Sequence, residues 1–313
     1  MHTPEPSADG LLTLLAVART GRYTAAADLL GINHTTASRR VAALEQALGG
    51  PLLARGAAGW ELTELGRSGV AAAERIEAVL HGLDADTADD LHGKVRIAAT
   101  DGFSARVVAP AIAELGRAHP RLSVDLLTVT RRAPSTRSGV DIEVVVGRPE
   151  TYRVEPELLA PYRLGLYGSR EYLAADGTPE RSRDLAGRPL VYFIDSMLTV
   201  DDLDLARVLV PDMTDRLSST NVLVHVEATC AGAGLGLLPC FLADARPDLV
   251  RVLPDEVSVQ LEYWMVVRPE ATQRREVAAV VTALRAQVAS MRGVLLGDPG
   301  PRRTALRGFT DPR

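Results

Sequence analysis

The sequence predicts an α/β protein that carries a small all-α, winged module at its N-terminus, and three observations predict it. Apolar residues recur at helical spacing through the first fifty residues and stop at glycines. A proline-free, alanine-rich stretch follows from Glu64 to about Asp90. Beyond Gly93, short β-branched runs alternate with helical patterns, the texture of a sheet with crossover connections.

Taken in order, residues 1–9 are polar and contain Pro4 and Pro6, a loose leader. Leu11, Leu14, Leu15 and Ala18 share one face of a first helix, which Gly21 stops. A second, short helix over Ala25 to Leu30 ends at Gly31. A third runs from about His34 to Leu48 and ends at Gly49-Gly50, a pair suited to a left-handed cap and turn. Leu52-Leu53-Ala54-Arg55 and Trp60-Glu61-Leu62-Thr63 flank Gly56-Ala57-Ala58-Gly59 and read as a hairpin. In the long helix that follows, Ala73, Ile76, Leu80 and Leu83 form a narrow apolar seam suited to pairing with another helix; the alternative is a helix lying on its own domain. Asp84, Asp86, Asp89 and Asp90 thin the pattern and lead to a boundary at His92-Gly93.

Strands are expected at Val95–Ala99, Leu122–Val129, Asp141–Val146, Arg163–Tyr167, Leu190–Ile194, Leu235–Leu238 and Val257–Val267. Helices are expected at Val107–Ala118, near Glu171, from about Asn221, and at Val277–Met291. The domains therefore read as 1–63 for the winged module, 64–92 for a linking helix and 93–292 for the α/β part. The Pro/Gly/Arg-rich tail, 293–313, reads as disordered.

Composition narrows the classes. The 313 residues are 46% hydrophobic and 24% charged, the make-up of an ordinary soluble protein of about two domains. No stretch approaches the ~18 consecutive apolar residues of a membrane span, and the start lacks a basic region followed by an apolar one, so a cytoplasmic, membrane-free protein is expected. Two cysteines, Cys230 and Cys240, cannot build a disulfide framework or a four-ligand metal site; a redox role for the pair stays open. The net charge of −5 means that any nucleic-acid contact is local.

The most specific stretch runs from Tyr23 to Val41. A helix-turn-helix needs a small residue where its helices cross and a turn residue tolerant of unusual backbone angles, and Ala27 and Gly31 supply them. Leu30, Ile32, Ala37 and Val41 are spaced to fill the small core beneath, and Asn33 is a good N-cap for the third helix. That leaves Thr24, Asn33, His34, Thr35, Thr36, Ser38, Arg39, Arg40 and, on the hairpin, Arg55 as candidate DNA contacts. In this motif the start of the second helix enters the major groove, where hydroxyls and an imidazole reach base edges and arginine forks onto guanine or clamps a phosphate. Residues 1–66 carry five arginines (19, 22, 39, 40, 55) against six acids (5, 9, 28, 45, 61, 64), so 5 − 6 = −1. Phosphate contacts supply most non-specific affinity, so one module is expected to bind weakly and a dimer to gain from effective concentration.

Tyr23-Thr24, Ala26-Ala27, Leu30, Ile32, Ser38-Arg39, Leu44-Glu45, Leu48-Gly49, Leu52-Leu53, Arg55, Leu62-Thr63 and Gly66 together resemble LysR-type transcription regulators in order and spacing. Asn33-His34 stands where that family commonly has Ser-Gln, and the hairpin turn lacks the basic residues often seen in the wing. The resemblance implies that residues 93–290 form a two-lobed, periplasmic-binding-protein-like (type 2) effector domain with crossovers near 159–162 and 263–268. It also implies a homodimer or homotetramer on duplex DNA, modulated by a small-molecule effector, with RNA polymerase as a further partner if the protein activates.

Ligands of open α/β sheets bind beyond the carboxyl ends of strands, near helix starts. Thr100, Asp101, Phe103, Ser104, Thr128, Asp195 and Thr220 occupy such places and are the candidate effector contacts, although Ser, Thr and Asp before a helix also serve simply as caps. Asp101 disfavours an anionic ligand unless Arg131, Arg148 or another cation offsets it. Ala231-Gly232-Ala233-Gly234-Leu235-Gly236 follows a helix and precedes a strand, the wrong order for a nucleotide loop. No catalytic constellation or metal-ligand spacing is present, so neither an enzyme nor a bound cofactor is expected. A solute carrier, the other rival, fits the C-terminal half but not the N-terminal module.

Overall fold

The computed structural model describes residues 5–56, 59–83, 91–128, 139–149, 154–194 and 206–298. Helix α1 (Ala8–Thr20) starts at Ser7, whose hydroxyl accepts from the Gly10 N–H, and stops at Gly21. Helix α2 (Tyr23–Leu30) begins two residues before the expected Ala25. Its turn is Gly31, held at φ 63°, a left-handed conformation in which a side chain is strained. Helix α3 (His34–Leu48) follows, then strands β1 (Leu53–Gly56) and β2 (Gly59–Leu62), which pair antiparallel with Leu53 opposite Leu62.

Helix α4 (Glu64–Leu83) closes this module. The Thr63 hydroxyl accepts from the Gly66 N–H and donates to the Pro51 carbonyl, which anchors the first turn of α4. A Cβ at Gly66 would stand 2.0 Å from the Leu52 carbonyl oxygen, so only glycine lets α4 approach that closely. Leu11, Leu14, Leu15, Val17, Ala26, Val41, Leu44, Leu52, Val70 and Ala73 form the shared core. Each fully buried leucine in such a core contributes about 1.5–3 kcal/mol relative to exposure.

The expected seam on α4 is corrected in part. Ala73 is buried and Ile76 packs on the module's own core, whereas Val79 and Leu80 are exposed. Asp84, Asp86, Asp89 and Asp90 lie outside the described residues.

By compactness the chain divides into Met1–Glu157 with Trp264–Ala286, and Leu158–Tyr263 with Gln287–Arg313. The first unit holds the helical module and one α/β lobe. In that lobe β3 (Gly93–Ala99) lies parallel to β4 (Leu122–Thr128) and to β5 (Ile142–Val146). Between β3 and β4 run α5 (Asp101–Phe103), a π-helical turn (Ser104–Val108) and α6 (Ala109–Ala118). The helix therefore starts six residues before the expected Val107. Gly102 masks its propensity in the sequence, while burial of Phe103 holds it in place.

The second unit contains most of β6 (Glu157–Ser169), then α7 (Arg170–Asp176), β7 (Pro189–Phe193), α8 (Ala206–Leu209), β8 (Thr214–Ser219) and α9 (Val222–Cys230). β9 (Leu235–Pro239), α10 (Cys240–Ala243), β10 (Leu249–Val252) and the start of β11 (Ser258–Val267) follow. β6 pairs antiparallel with β9 and β10, and β7 pairs parallel with β8 and β9. Strand β8 was not expected, because Thr-Asp-Arg-Leu-Ser-Ser reads as a loop until β7 supplies its partner. β6 outruns its expected span of 163–167 at both ends, and at its C-terminal end β10 pairs with it as far as Ser169.

Helix α11 (Arg275–Ser290) begins in the first unit and ends in the second, a third passage that the sequence did not suggest. In the first unit Arg274, just before it, is buried between Asp141 and Glu276, at 2.8 Å from each, and donates to the Lys94 carbonyl. The last described helix, α12 (Arg292–Leu295), corrects the expectation of disorder from 293: Leu295 is fully buried, and the chain is ordered to Asp298. Residues 299–313 lie outside the described residues.

Candidate nucleic-acid interface and effector site

The start of α3 is set by Asn33, whose backbone is extended and whose Oδ1 accepts from the Thr36 N–H at 2.7 Å. With the first turn fixed, Ala37, Val41 and Leu44 face the core, and His34, Thr35, Ser38 and Arg39 are exposed on the other side. Thr36 is half-buried, and Thr24 is exposed in the first turn of α2. The structure thus brings His34, Thr35, Ser38 and Arg39 together on one outward helix face.

Two candidates carry other duties. The Asn33 side-chain oxygen is used by the cap, so only its NH₂ remains for a base. Arg40 is paired with Asp9 at 2.6 Å, which ties it to the first turn of α1. Arg19 is likewise committed, with both guanidinium ends on Glu77 at 2.7 Å. Arg22, Arg39 and Arg55 are exposed and have no ion-pair partner among the described residues.

A contact that the sequence reading missed joins three aromatic rings. Tyr23 meets His34 edge to face at 6.1 Å between centroids and meets Trp60 of β2 edge to face at 5.5 Å. Burial, reinforced by Glu45, pushes the Tyr23 hydroxyl up to about 12, so it stays neutral. Tyr23 stood at the head of the motif, but no local pattern announces a partner as remote in the chain as Trp60.

In the first lobe the parallel register sets Thr128 opposite Ala99, the last residue of β3. Thr100 then leads into the helix at Asp101. This brings Thr128 to Asp101, where its hydroxyl donates to the carboxylate. Asp101 is only 9% exposed, and burial raises its pKa more than that bond lowers it. The hydroxyls of Thr100 and Ser104, one helical turn apart, are buried without a hydrogen-bond partner among the described residues. Ser104 also opens the π-helical turn, a distortion frequent at functional sites.

Phe103 has no exposed surface and packs in the core of the lobe. Arg148 is held by Glu155 at 2.7 Å and lies over the Trp264 ring, so it is already engaged. Arg131 and Asp195 lie outside the described residues. Thr220 is half-buried in the second unit, between β8 and the Asn221 cap of α9.

Also in the second unit, His225 is fully buried, donates from Nε2 to the Ser219 carbonyl at 3.0 Å, and packs beside Phe193 and Tyr192. Its Nδ1 has no partner among the described residues, and burial brings its pKa down to about 4. Burial pushes the Cys230 thiol up to about 11 and raises that of Cys240, the direction opposite to a reactive thiolate. Gly234 packs its Cα against the Pro189 carbonyl, where a Cβ would stand 2.4 Å from the oxygen. That gives the glycine-rich stretch a packing role. Among the described residues no cluster of His, Cys, Asp and Glu could hold a metal ion, and no helix is long and apolar enough to cross a membrane.

A capped helix with an outward polar face, a short wing and a two-lobed α/β domain together define a DNA-binding regulator with a ligand-sensing part. The family model described as LysR substrate binding domain matches residues 88–289, and that for bacterial regulatory helix-turn-helix protein, lysR family, matches residues 9–67. The chain belongs to the LysR family of transcriptional regulators, with a DNA-binding helix-turn-helix and an effector-binding domain.

Among curated relatives, the HTH-type transcriptional regulator DmlR of Escherichia coli is 32% identical over 59% of this chain and 61% of its own length. The regulator PtxR of Pseudomonas aeruginosa is 27% identical over 78% of this chain and 81% of its own. Among solved structures, ArgP from Mycobacterium tuberculosis superposes with a TM-score of 0.66 at 20% identity, covering 90% of this chain and 96% of its own. Full-length LysG from Corynebacterium glutamicum, with bound effector Arg, gives 0.61 at 21% identity, covering 91% and 98%. These two likenesses show the fold.

Proposed function

We propose that this regulator reads its operator with the outward face at the start of α3, in a cytoplasmic homo-oligomer whose DNA affinity an effector adjusts. His34, Thr35, Ser38 and Arg39 contact base edges. Thr24, Thr36, the Asn33 amide NH₂ and Arg55 position the backbone, and Arg40 joins them once its exposed pair with Asp9 opens; such pairs are worth only about 0–1 kcal/mol. The observation that carries this reading is the Asn33 cap, which fixes four exposed polar side chains at the helix start that this motif inserts into the major groove.

The effector contacts assigned in the first lobe are Thr100, Asp101, Ser104 and Thr128. Two buried hydroxyls without partners support this, since buried polar groups are ordinarily hydrogen-bonded. Thr220 is the described candidate of the second lobe. Should the protein activate, RNA polymerase is the further partner.

The test is fluorescence anisotropy of the full chain on the DNA upstream of its own gene, with a scrambled duplex as control. Arg39→Ala and His34→Ala should each weaken specific binding by about 1–3 kcal/mol and leave thermal unfolding unchanged. If both bind like wild type, α3 does not read the operator.

A further inference from the structure

We infer that Trp60 is a positioning residue for operator choice: through the ring of Tyr23 it holds the His34 imidazole in one orientation at the start of α3. The inference rests on the reading of α3 as the groove-entering helix.

The three rings link three separate elements. Trp60 lies on β2, Tyr23 is the first residue of α2, and His34 is the first residue of α3. Tyr23 packs against the module core and is the fixed member of the chain. Both of its contacts are edge to face, at 89° with Trp60 and 76° with His34. In this geometry the electropositive edge of one ring meets the electronegative face of the next. His34 is exposed and has no hydrogen-bond partner among the described residues, so Tyr23 is what restrains its ring. A surface imidazole that is free to turn loses that freedom when it docks on a base, and a prior ring contact removes part of the loss.

The remaining features of the wing agree. Its turn, Gly56-Ala57-Ala58-Gly59, contains no cation with which to grip a phosphate. Trp60 is 40% exposed and stands outside the shared core. Besides the phosphate contact assigned to Arg55, the hairpin acts on recognition through a ring contact. The oriented imidazole presents its N–H to an acceptor in the major groove, such as guanine N7 or O6.

The experiment uses the full chain and a duplex selected from a random-sequence pool by the wild-type protein. Anisotropy competition with every single-base variant of that duplex gives a preference at each position. His34→Ala should flatten the preference at one base pair of each half-site. Trp60→Ala should lower the preference at that same base pair about two- to tenfold, the range expected for loss of an aromatic pair, and leave the other positions unchanged. Trp60→Phe and Tyr23→Phe, which keep the rings, should retain it.

If Trp60→Ala keeps the full preference at the His34 position, the inference fails and the α3 reading stands. A uniform loss at every position with lowered thermal stability would make Trp60 merely structural and would also overturn it. If His34→Ala alters no position, the α3 reading itself has failed.

Discussion

Asn33 shows how one atom governs a recognition surface. Its oxygen closes the first turn of α3, and the exposed residues keep their places only while that turn is formed. His225 governs stability in a comparable way. It is neutral because burial disfavours the imidazolium, and its folded-state pKa, about 4, lies below the ordinary 6.5. The unfolded chain therefore takes up the proton first, so this stabilisation is complete above about 6.5 and is lost as pH falls toward about 4. Urea unfolding at about pH 7 and about pH 5 should differ by roughly 2 kcal/mol more in wild type than in His225→Phe. Glu74 and Asp141, whose pKa values are raised by burial, contribute the opposite slope, but they are common to both proteins and cancel in the difference. Equal pH dependence in the two proteins would remove His225 as the cause.

At the scale of elements, α4 changes character along its length. As far as Glu77 it is fixed to the helical module by the Gly66 approach to Leu52 and by the Arg19–Glu77 pair. Its second half presents Val79 and Leu80 outward. Apolar side chains exposed side by side on a helix suit burial against a second copy. Val79→Glu with Leu80→Glu should halve the mass measured by light scattering and weaken operator binding, without changing the thermal unfolding of the monomer, because neither side chain belongs to the core. An unchanged mass would place the subunit contact elsewhere. The seam was legible as a spacing, but spacing cannot say which stretch faces its own domain. That depends on where Leu14 and Leu52 lie in space.

At the scale of the whole molecule, charge sets the binding regime. With Arg19 committed to Glu77 and Arg39 assigned to base edges, each module offers Arg22, Arg55 and, once its exposed pair with Asp9 opens, Arg40 to phosphate. The slope of log affinity against log salt should then be about −3 for one module and about −5 for two. A slope steeper than about −8, measured across a salt series on non-specific duplex, would reveal basic surface that the module lacks.

The α/β architecture and α3, from His34 to its cap, were legible in the sequence because glycines and an N-cap punctuate local periodicity. Strand β8 and the start of α5 were not, because pairing with β7 and burial of Phe103 decide them. Nor was the Trp60–Tyr23 contact, which depends on how the hairpin folds back. The candidate effector residues fared unevenly for the same reason. Register brought Thr128 to Asp101, and packing buried Phe103.

The three passages of the chain between its units also bear on synthesis. The first unit needs α11 to complete its lobe, and the second needs Leu295 in its core and Gly297 packed against Cys240. The helical module has all its core residues once Ile76 has been made. On the ribosome, where chains grow from the N-terminus and domains fold as units, the part that reads DNA is assembled while both sensing lobes still wait for their closing segments. In every chain made, the residues of the reading module's core are complete before those of either sensing lobe.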